Sequence, residues 1–275
     1  MRTTVVIIAL QLCATAPLGA QGVGGASPAA PLVIGQTFTI ASKVLGEVRR
    51  INVYAPDVYA DSPAVRLPVL YMPDGGMRED FLHVAGLVQV SAGNGTMRPF
   101  LLVGIENTQR RRDLTGPTES PEDRKIAPRV GGSAAFREFI RTELMPVVKA
   151  RYRTTGETAI VGESLAGLFI VETFLLEPDL FDGYIAIDPS LWWNDGKLVA
   201  GAEARLRARP PMKKALWFAS SEEPSTAAPA ARLAALLTAG AYPGLTWHYE
   251  PMPEEHHSTI YHPAALKAFR FLFKP

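Results

Sequence analysis

The first feature with chemical content is a serine among small residues where a strand pattern meets a helix pattern. The segment reads Thr158-Ala159-Ile160-Val161-Gly162-Glu163-Ser164-Leu165-Ala166-Gly167-Leu168-Phe169. A sharp turn at that junction lifts a serine hydroxyl above the sheet, and small neighbours let the turn be tight. The next amide, on Leu165, stands at the helix start, where unpaired N–H groups favour a developing oxyanion. Ala166 takes the place where such elbows usually carry glycine, which arrives one residue later at Gly167. Alone, the pattern also fits an ordinary strand-helix junction.

A serine hydroxyl is a weak nucleophile until a base takes its proton, so a histidine must reach it from a later loop. His248 lies inside an apolar strand-like run, and His262 precedes Pro263 at the start of the last helix. His256 and His257 remain, in Pro253-Glu254-Glu255-His256-His257-Ser258-Thr259, after a strand and before that helix. A carboxylate after the strand Ala215 to Ala219 would hold the imidazole in its working tautomer. Ser220-Ser221-Glu222-Glu223 offers two; Glu223 is preferred for its longer reach, with Glu222 as the alternative. A second oxyanion donor is expected in Tyr71-Met72-Pro73-Asp74-Gly75-Gly76-Met77, where glycines permit close backbone approach. Gly76 is assigned, with Met77 second. This chemistry needs no metal and no organic cofactor, and none is expected.

The elements that must position these residues are legible as runs. Phe38 to Ile40 and Val48 to Tyr54, separated by Leu45-Gly46-Glu47, read as two antiparallel strands joined by a tight turn. Short apolar runs follow at Leu67 to Met72, Phe100 to Ile105, Thr158 to Val161, Tyr184 to Ile187, Ala215 to Ala219 and Leu245 to Tyr249. Their length suits buried parallel strands. Helical stretches lie between them, the clearest being Ala134 to Arg151, in which Pro146 should kink or restart the helix. Alternating strands and helices predict an α/β fold, a mostly parallel sheet covered on both faces.

A chain of 275 residues, 47% of them apolar, can bury one large core. Lys and Arg number 28 against 27 Asp and Glu; Arg2 is the one charge in the first twenty residues, so the remainder is balanced. That balance argues against a nucleic-acid or acidic-polymer partner. Met1-Arg2, an apolar run from Val5 through Leu12 and small residues to Ala20 follow the order of a secretory signal. The run is short of the roughly twenty apolar residues that span a bilayer, so no stable membrane insertion is expected once 1–20 are removed. Residues 21–34, rich in Gly, Ala, Ser and Pro, read as a flexible leader, and 35–275 as the catalytic domain. The single cysteine, Cys13, lies in the signal segment, so the mature chain is expected to contain neither disulfide nor thiol nucleophile.

Taken together, these residues resemble the esterase D-like branch of the α/β-hydrolases, which includes siderophore, feruloyl and acetylxylan esterases and mycolyltransferases. Within it the chain is most similar to the bacterial siderophore esterases of the enterobactin and bacillibactin type. The resemblance runs from Ser42-Lys43-Val44-Leu45-Gly46-Glu47 to the C-terminus. Its most specific segments are Val103 to Asn107 with Arg110 to Thr115, Gly162 to Gly167, and Pro178 to Asp182 running on to Pro189-Ser190-Leu191-Trp192-Trp193.

The resemblance implies the α/β-hydrolase fold, Ser164 as nucleophile, and a base that is a histidine followed by x-Ser. This selects His256, two residues before Ser258. It also implies that Asp74-Gly75 leads into an oxyanion donor at Gly76. The Arg110 to Asp113 loop then borders the substrate cleft, with Arg112 placed to pair with an anionic or catecholate group. Trp192 and Trp193 are expected to wall an aryl substrate. Two positions depart from the family pattern: Glu163, where histidine is frequent, and Ala166.

The expected activity is hydrolysis of a small-molecule carboxylic ester through an acyl-enzyme, outside the cytoplasm in the periplasm or medium. The same serine could instead pass its acyl group to an alcohol. A non-catalytic periplasmic ligand-binding protein of the same fold is the reading from a different class.

Overall fold

Each of the eight apolar runs forms a strand of one sheet. A computed structural model describes residues 27–275. The signal reading of 1–20 and the first part of the leader lie outside the described residues. β1 (Gln36–Ser42) and β2 (Glu47–Tyr54) make the expected hairpin, turning at Gly46, whose φ of 66° lies in the region that favours glycine. β3 (Leu67–Met72), β4 (Leu101–Ile105), β5 (Thr154–Glu163), β6 (Gly183–Ile187), β7 (Lys214–Ser220) and β8 (Leu245–Pro251) follow. The strand order is β1-β2-β4-β3-β5-β6-β7-β8. β1, β2 and β4 pair antiparallel; every pairing from β4 through β3 to β8 is parallel.

Helices cover both faces because alternate strand side chains feed two separate cores. Val69, Tyr71, Leu101, Val103, Ile160, Tyr184, Leu216 and Phe218 face a core shared with helices Ser133–Phe139 and Leu165–Leu176. Leu70, Met72, Leu102, Ala159, Val161, Ile185, Ile187 and Trp217 face the other core, under helices Phe81–Gly93 and Tyr261–Leu272. The central parallel strands are therefore apolar throughout rather than alternating.

Pro146 does not break its helix. Helices Ser133–Phe139 and Met145–Arg151 are joined by a π-helical turn, Ile140–Leu144. The wider turn falls just before the proline, whose missing N–H and bulky ring would disturb regular helical bonding.

Helix Leu165–Leu176, directly after β5, has every residue from Leu165 to Leu175 buried. A helix apolar on all sides belongs to the interior. Burial of Phe169 and Phe174 contributes roughly 1.5–3 kcal/mol each, enough to offset a strained backbone at the helix entrance costing about 1–3 kcal/mol.

Candidate active site

That strain is present at Ser164. Its φ of 61° and ψ of −120° belong to a region side-chain-bearing residues rarely occupy. Ser164 N–H donates to Ile187 O at 3.0 Å, tying the turn to β6. Two glycines make it possible. A Cβ on Gly162 would lie 2.6 Å from the Ala166 Cβ, and one on Gly167 would lie 2.9 Å from Ile187 O. The alanine at the elbow's last position is thus accommodated by the bare Cα of Gly162.

The hydroxyl of Ser164 meets His257, not His256. His257 Nε2 lies 3.1 Å from Ser164 Oγ, and its Nδ1 lies 2.5 Å from Asp188 Oδ2. Asp188 is 0% exposed and follows β6 directly. Its Oδ1 accepts the Ser221 N–H at 2.8 Å, and its Oδ2 accepts the Ser221 hydroxyl at 2.8 Å. Burial alone would raise the Asp188 pKa, but hydrogen bonds from His257, Thr226 and Ser221 bring it below the ordinary value. The Asp188 hydrogen bond raises the His257 pKa against the opposing effect of burial, with Glu163, Asp188 and Glu223 adding negative charge around the ring.

Several expectations need correction. His256 is 65% exposed, and its Nδ1 lies 2.5 Å from Glu222 Oε1, so it pairs outside the site. Adjacent loop residues present opposite faces, and only the second histidine faces Ser164. Glu223 caps helix Pro224–Ala239, and its carboxylate hydrogen-bonds neither histidine among the described residues. The carboxylate on the imidazole comes from the end of β6, while the end of β7 supplies Ser221, which holds it. An acidic residue directly after a buried strand, in Ile187-Asp188-Pro189, was the available signal.

The two oxyanion assignments diverge. Leu165 begins its helix, so its amide has no partner within that helix. The Gly76 amide donates instead to Glu79 Oε2 at 2.7 Å. The loop carrying it is firmly held: Asn52 Nδ2 donates to Gly75 O at 2.8 Å, and Arg110 forks onto Asp74 at 2.6 and 2.9 Å. The Gly76 amide, expected to face the oxyanion, is therefore already engaged by an acceptor.

Arg112 does not reach into a cleft as a free cation. It donates to Glu47 at 2.7 and 3.2 Å and to Asp113 Oδ1 at 2.6 Å. Asp113 also accepts from Arg49 at 2.7 Å, and this pair is 0% and 1% exposed. Without Asp113 the buried Arg49 guanidinium keeps only Glu47, at 2.8 Å, as a carboxylate partner. Asp113→Ala is therefore expected to destabilise the fold by roughly 2–3 kcal/mol, less than for a wholly uncompensated buried charge, read as a lowered urea midpoint with unchanged slope. Trp193 is also structural: it is buried, with its indole N–H donating to Gly116 O at 2.9 Å. Trp192 beside it is half-buried against the same core. Among the described residues, no group of three or more His, Cys, Asp or Glu is placed to hold a metal, and no helix is long and apolar enough to cross a membrane.

The sequence family described as Putative esterase matches residues 42–249. The chain belongs to this family. The matched span includes Ser164 and Asp188 and stops short of His257. Among curated relatives, the esterase-family chain is 31% identical over 169 residues to the ferri-bacillibactin esterase BesA of Bacillus subtilis (strain 168), covering 54% of this chain and 56% of that one. It is 32% identical over 178 residues to the siderophore triacetylfusarinine C esterase of Aspergillus fumigatus, covering 58% and 57%. The chain thus spans a little over half the length of these relatives. A solved structure, an IroE-like serine hydrolase from Shewanella oneidensis, is 30% identical with a TM-score of 0.76, covering 87% of this chain and 80% of that one. The fold, an eight-stranded and mostly parallel sheet covered by helices, is therefore the α/β-hydrolase fold.

Proposed function

We propose that the chain is a serine hydrolase cleaving carboxylic esters through an acyl-enzyme, with Ser164 as nucleophile, His257 as base and Asp188 as the orienting acid. The hydrogen-bonded line Ser164–His257–Asp188, at 3.1 and 2.5 Å, carries this reading. Ser164 Oγ attacks the ester carbonyl as His257 Nε2 takes its proton, and the tetrahedral oxyanion forms against the Leu165 amide. Collapse breaks the C–O bond, and the imidazolium returns the proton to the departing alcohol. Water then repeats the sequence on the acyl-enzyme, releasing the acid and restoring Ser164. The Gly76 amide becomes the second donor when the Glu79 carboxylate turns away from it.

The relatives' names support siderophore-type esters as the substrate class. A cleft of about 400 Å³ lined by Gln109, Arg110, Arg111, Arg112, Ala127, Pro128 and Arg129 is in keeping with an anionic substrate. Arg110 links it to the oxyanion loop through Asp74. With Arg112 engaged, exposed Arg111 and Arg129 are the residues proposed to meet substrate charge. The Met1 to Ala20 pattern supports action outside the cytoplasm.

Mass spectrometry after a fluorophosphonate probe tests the proposal. Wild type is expected to gain one adduct mapped to Ser164; Ser164→Ala should gain none. A folded wild-type sample that remains unlabelled overturns the assignment.

A further inference from the structure

The segment Pro189-Ser190-Leu191-Trp192-Trp193 directly follows Asp188, and the steps above give it no chemical part. Its backbone is pinned beside the nucleophile. Ser190 N–H donates to Ser164 O at 3.1 Å, and Trp193 N–H donates to Ser190 O at 3.2 Å. Pro189 lies against the bare Cα of Gly167, where a Cβ would come within 3.0 Å of the Pro189 Cα. Ser190 is only 3% exposed. Among the described residues its hydroxyl has a single hydrogen-bond partner, Ser164 Oγ at 3.4 Å. The contact is long for two hydroxyls, as catalytic hydrogen bonds often are before substrate arrives.

Which oxygen donates follows from the other end of the line. Asp188, held below the ordinary carboxylate range by its hydrogen bonds, is ionised and can only accept. The hydrogen between Asp188 Oδ2 and His257 Nδ1 therefore belongs to the imidazole. A neutral imidazole protonated at Nδ1 is bare at Nε2, so it accepts there and takes the one hydrogen of the Ser164 hydroxyl. Ser164 has none left for Ser190, and the Ser190 hydroxyl must be the donor to Ser164 Oγ. The line is polarised from end to end, Ser190 to Ser164 to His257 to Asp188.

We propose that Ser190 is a further catalytic residue, whose hydroxyl stabilises the Ser164 oxygen as it leaves the acyl group. The proposal rests on the hydrolase reading above. Only an interaction that is stronger in the transition state than before it accelerates a step. In the resting site Ser164 Oγ is a hydroxyl oxygen that already accepts from Ser190, so its attack on the substrate gains little. In the acyl-enzyme the same atom is the bridging oxygen of an ester, a poor acceptor. Water adds to that ester carbonyl as His257 takes its proton. The C–Oγ bond then breaks, its electron pair goes to Oγ, and the imidazolium supplies the proton. Charge gathers on Oγ as the bond opens, and the hydrogen bond from Ser190 strengthens while Ser190 keeps its own proton. Deacylation is therefore the step that Ser190 favours.

Single-turnover reaction with p-nitrophenyl acetate, enzyme in excess, separates the two steps in wild type and Ser190→Ala. Nitrophenol release times acylation, and the mass of acid-quenched protein follows loss of the acetyl group from Ser164. Ser190→Ala is expected to release nitrophenol within about twofold of the wild-type rate and to lose the acetyl group about three- to tenfold more slowly. Rates are counted per acylated Ser164, so a partly unfolded sample cannot imitate the effect. An unchanged rate of acetyl loss, or equal slowing of both steps, would overturn the proposal and leave Ser164 and His257 as assigned. Absence of both nitrophenol release and an acetyl group on Ser164 in the wild type would instead overturn the hydrolase reading beneath it.

Discussion

His257→Ala is expected to lower kcat/KM on an activated ester by about 10⁴-fold or more, while His256→Ala stays within about threefold of wild type. The two residues are neighbours in sequence and have almost nothing else in common. His257 Nε2 is 3.1 Å from Ser164 Oγ; the other side-chain partner of that hydroxyl among the described residues, Ser190 Oγ at 3.4 Å, is a hydroxyl too weakly basic to take the proton. The remaining rate would come from substrate binding and the Leu165 and Gly76 amides. His256 pairs with Glu222 at the surface, where the exposed pair contributes at most a few tenths to one kcal/mol to stability. Both purified variants should melt close to wild type, so the contrast reads chemistry and not folding. The opposite ranking, with His256→Ala inactive and His257→Ala active, would reverse the assignment of the base.

What could be read from the sequence, and what could not, follows the same division between periodic and local information. The sheet was legible because strands buried on both faces must be apolar along their length, so runs such as Leu67 to Met72 and Tyr184 to Ile187 announce themselves. Ser164 was legible because its turn demands small residues, and Gly162 and Gly167 each sit where a Cβ would collide. The choice between His256 and His257 depends on which way two consecutive side chains point in an irregular loop, and a loop has no period from which to infer it. The x-Ser rule selects His256, whereas the hydrogen bond to Ser164 is made by His257. Asp188 was missed because an acid was expected after β7, whereas that strand ends at Ser220 and the Ser221 that follows it holds the acid supplied by the neighbouring strand. Arg112 and Trp193 were assigned to substrate because their true partners are remote in sequence: Glu47 lies 65 residues from Arg112, and Gly116 lies 77 from Trp193.

Asp188→Asn is expected to lower kcat by about 10⁴-fold with little change in KM, and the hydrogen bonds around Asp188 give the reason. Asp188 Oδ1 accepts the backbone N–H of Ser221, a donor that cannot reorient. An asparagine at this position must therefore keep its carbonyl oxygen there, which places its NH₂ where Oδ2 now faces His257 Nδ1. The imidazole must then accept at Nδ1 and carry its proton on Nε2, aiming a hydrogen at Ser164 Oγ where a lone pair is needed. The Ser221 hydroxyl can reverse from donor to acceptor to suit the new NH₂, so the substituted site is fully hydrogen-bonded in the unproductive tautomer. The variant should consequently fold well while failing in chemistry, a separation that thermal melting beside kcat and KM would show. Parallel substitutions Glu222→Gln and Glu223→Gln should each leave kcat within about threefold of wild type, since neither carboxylate hydrogen-bonds the catalytic imidazole. A near-normal kcat for Asp188→Asn, or a collapse for Glu223→Gln, would move the orienting role back to the end of β7.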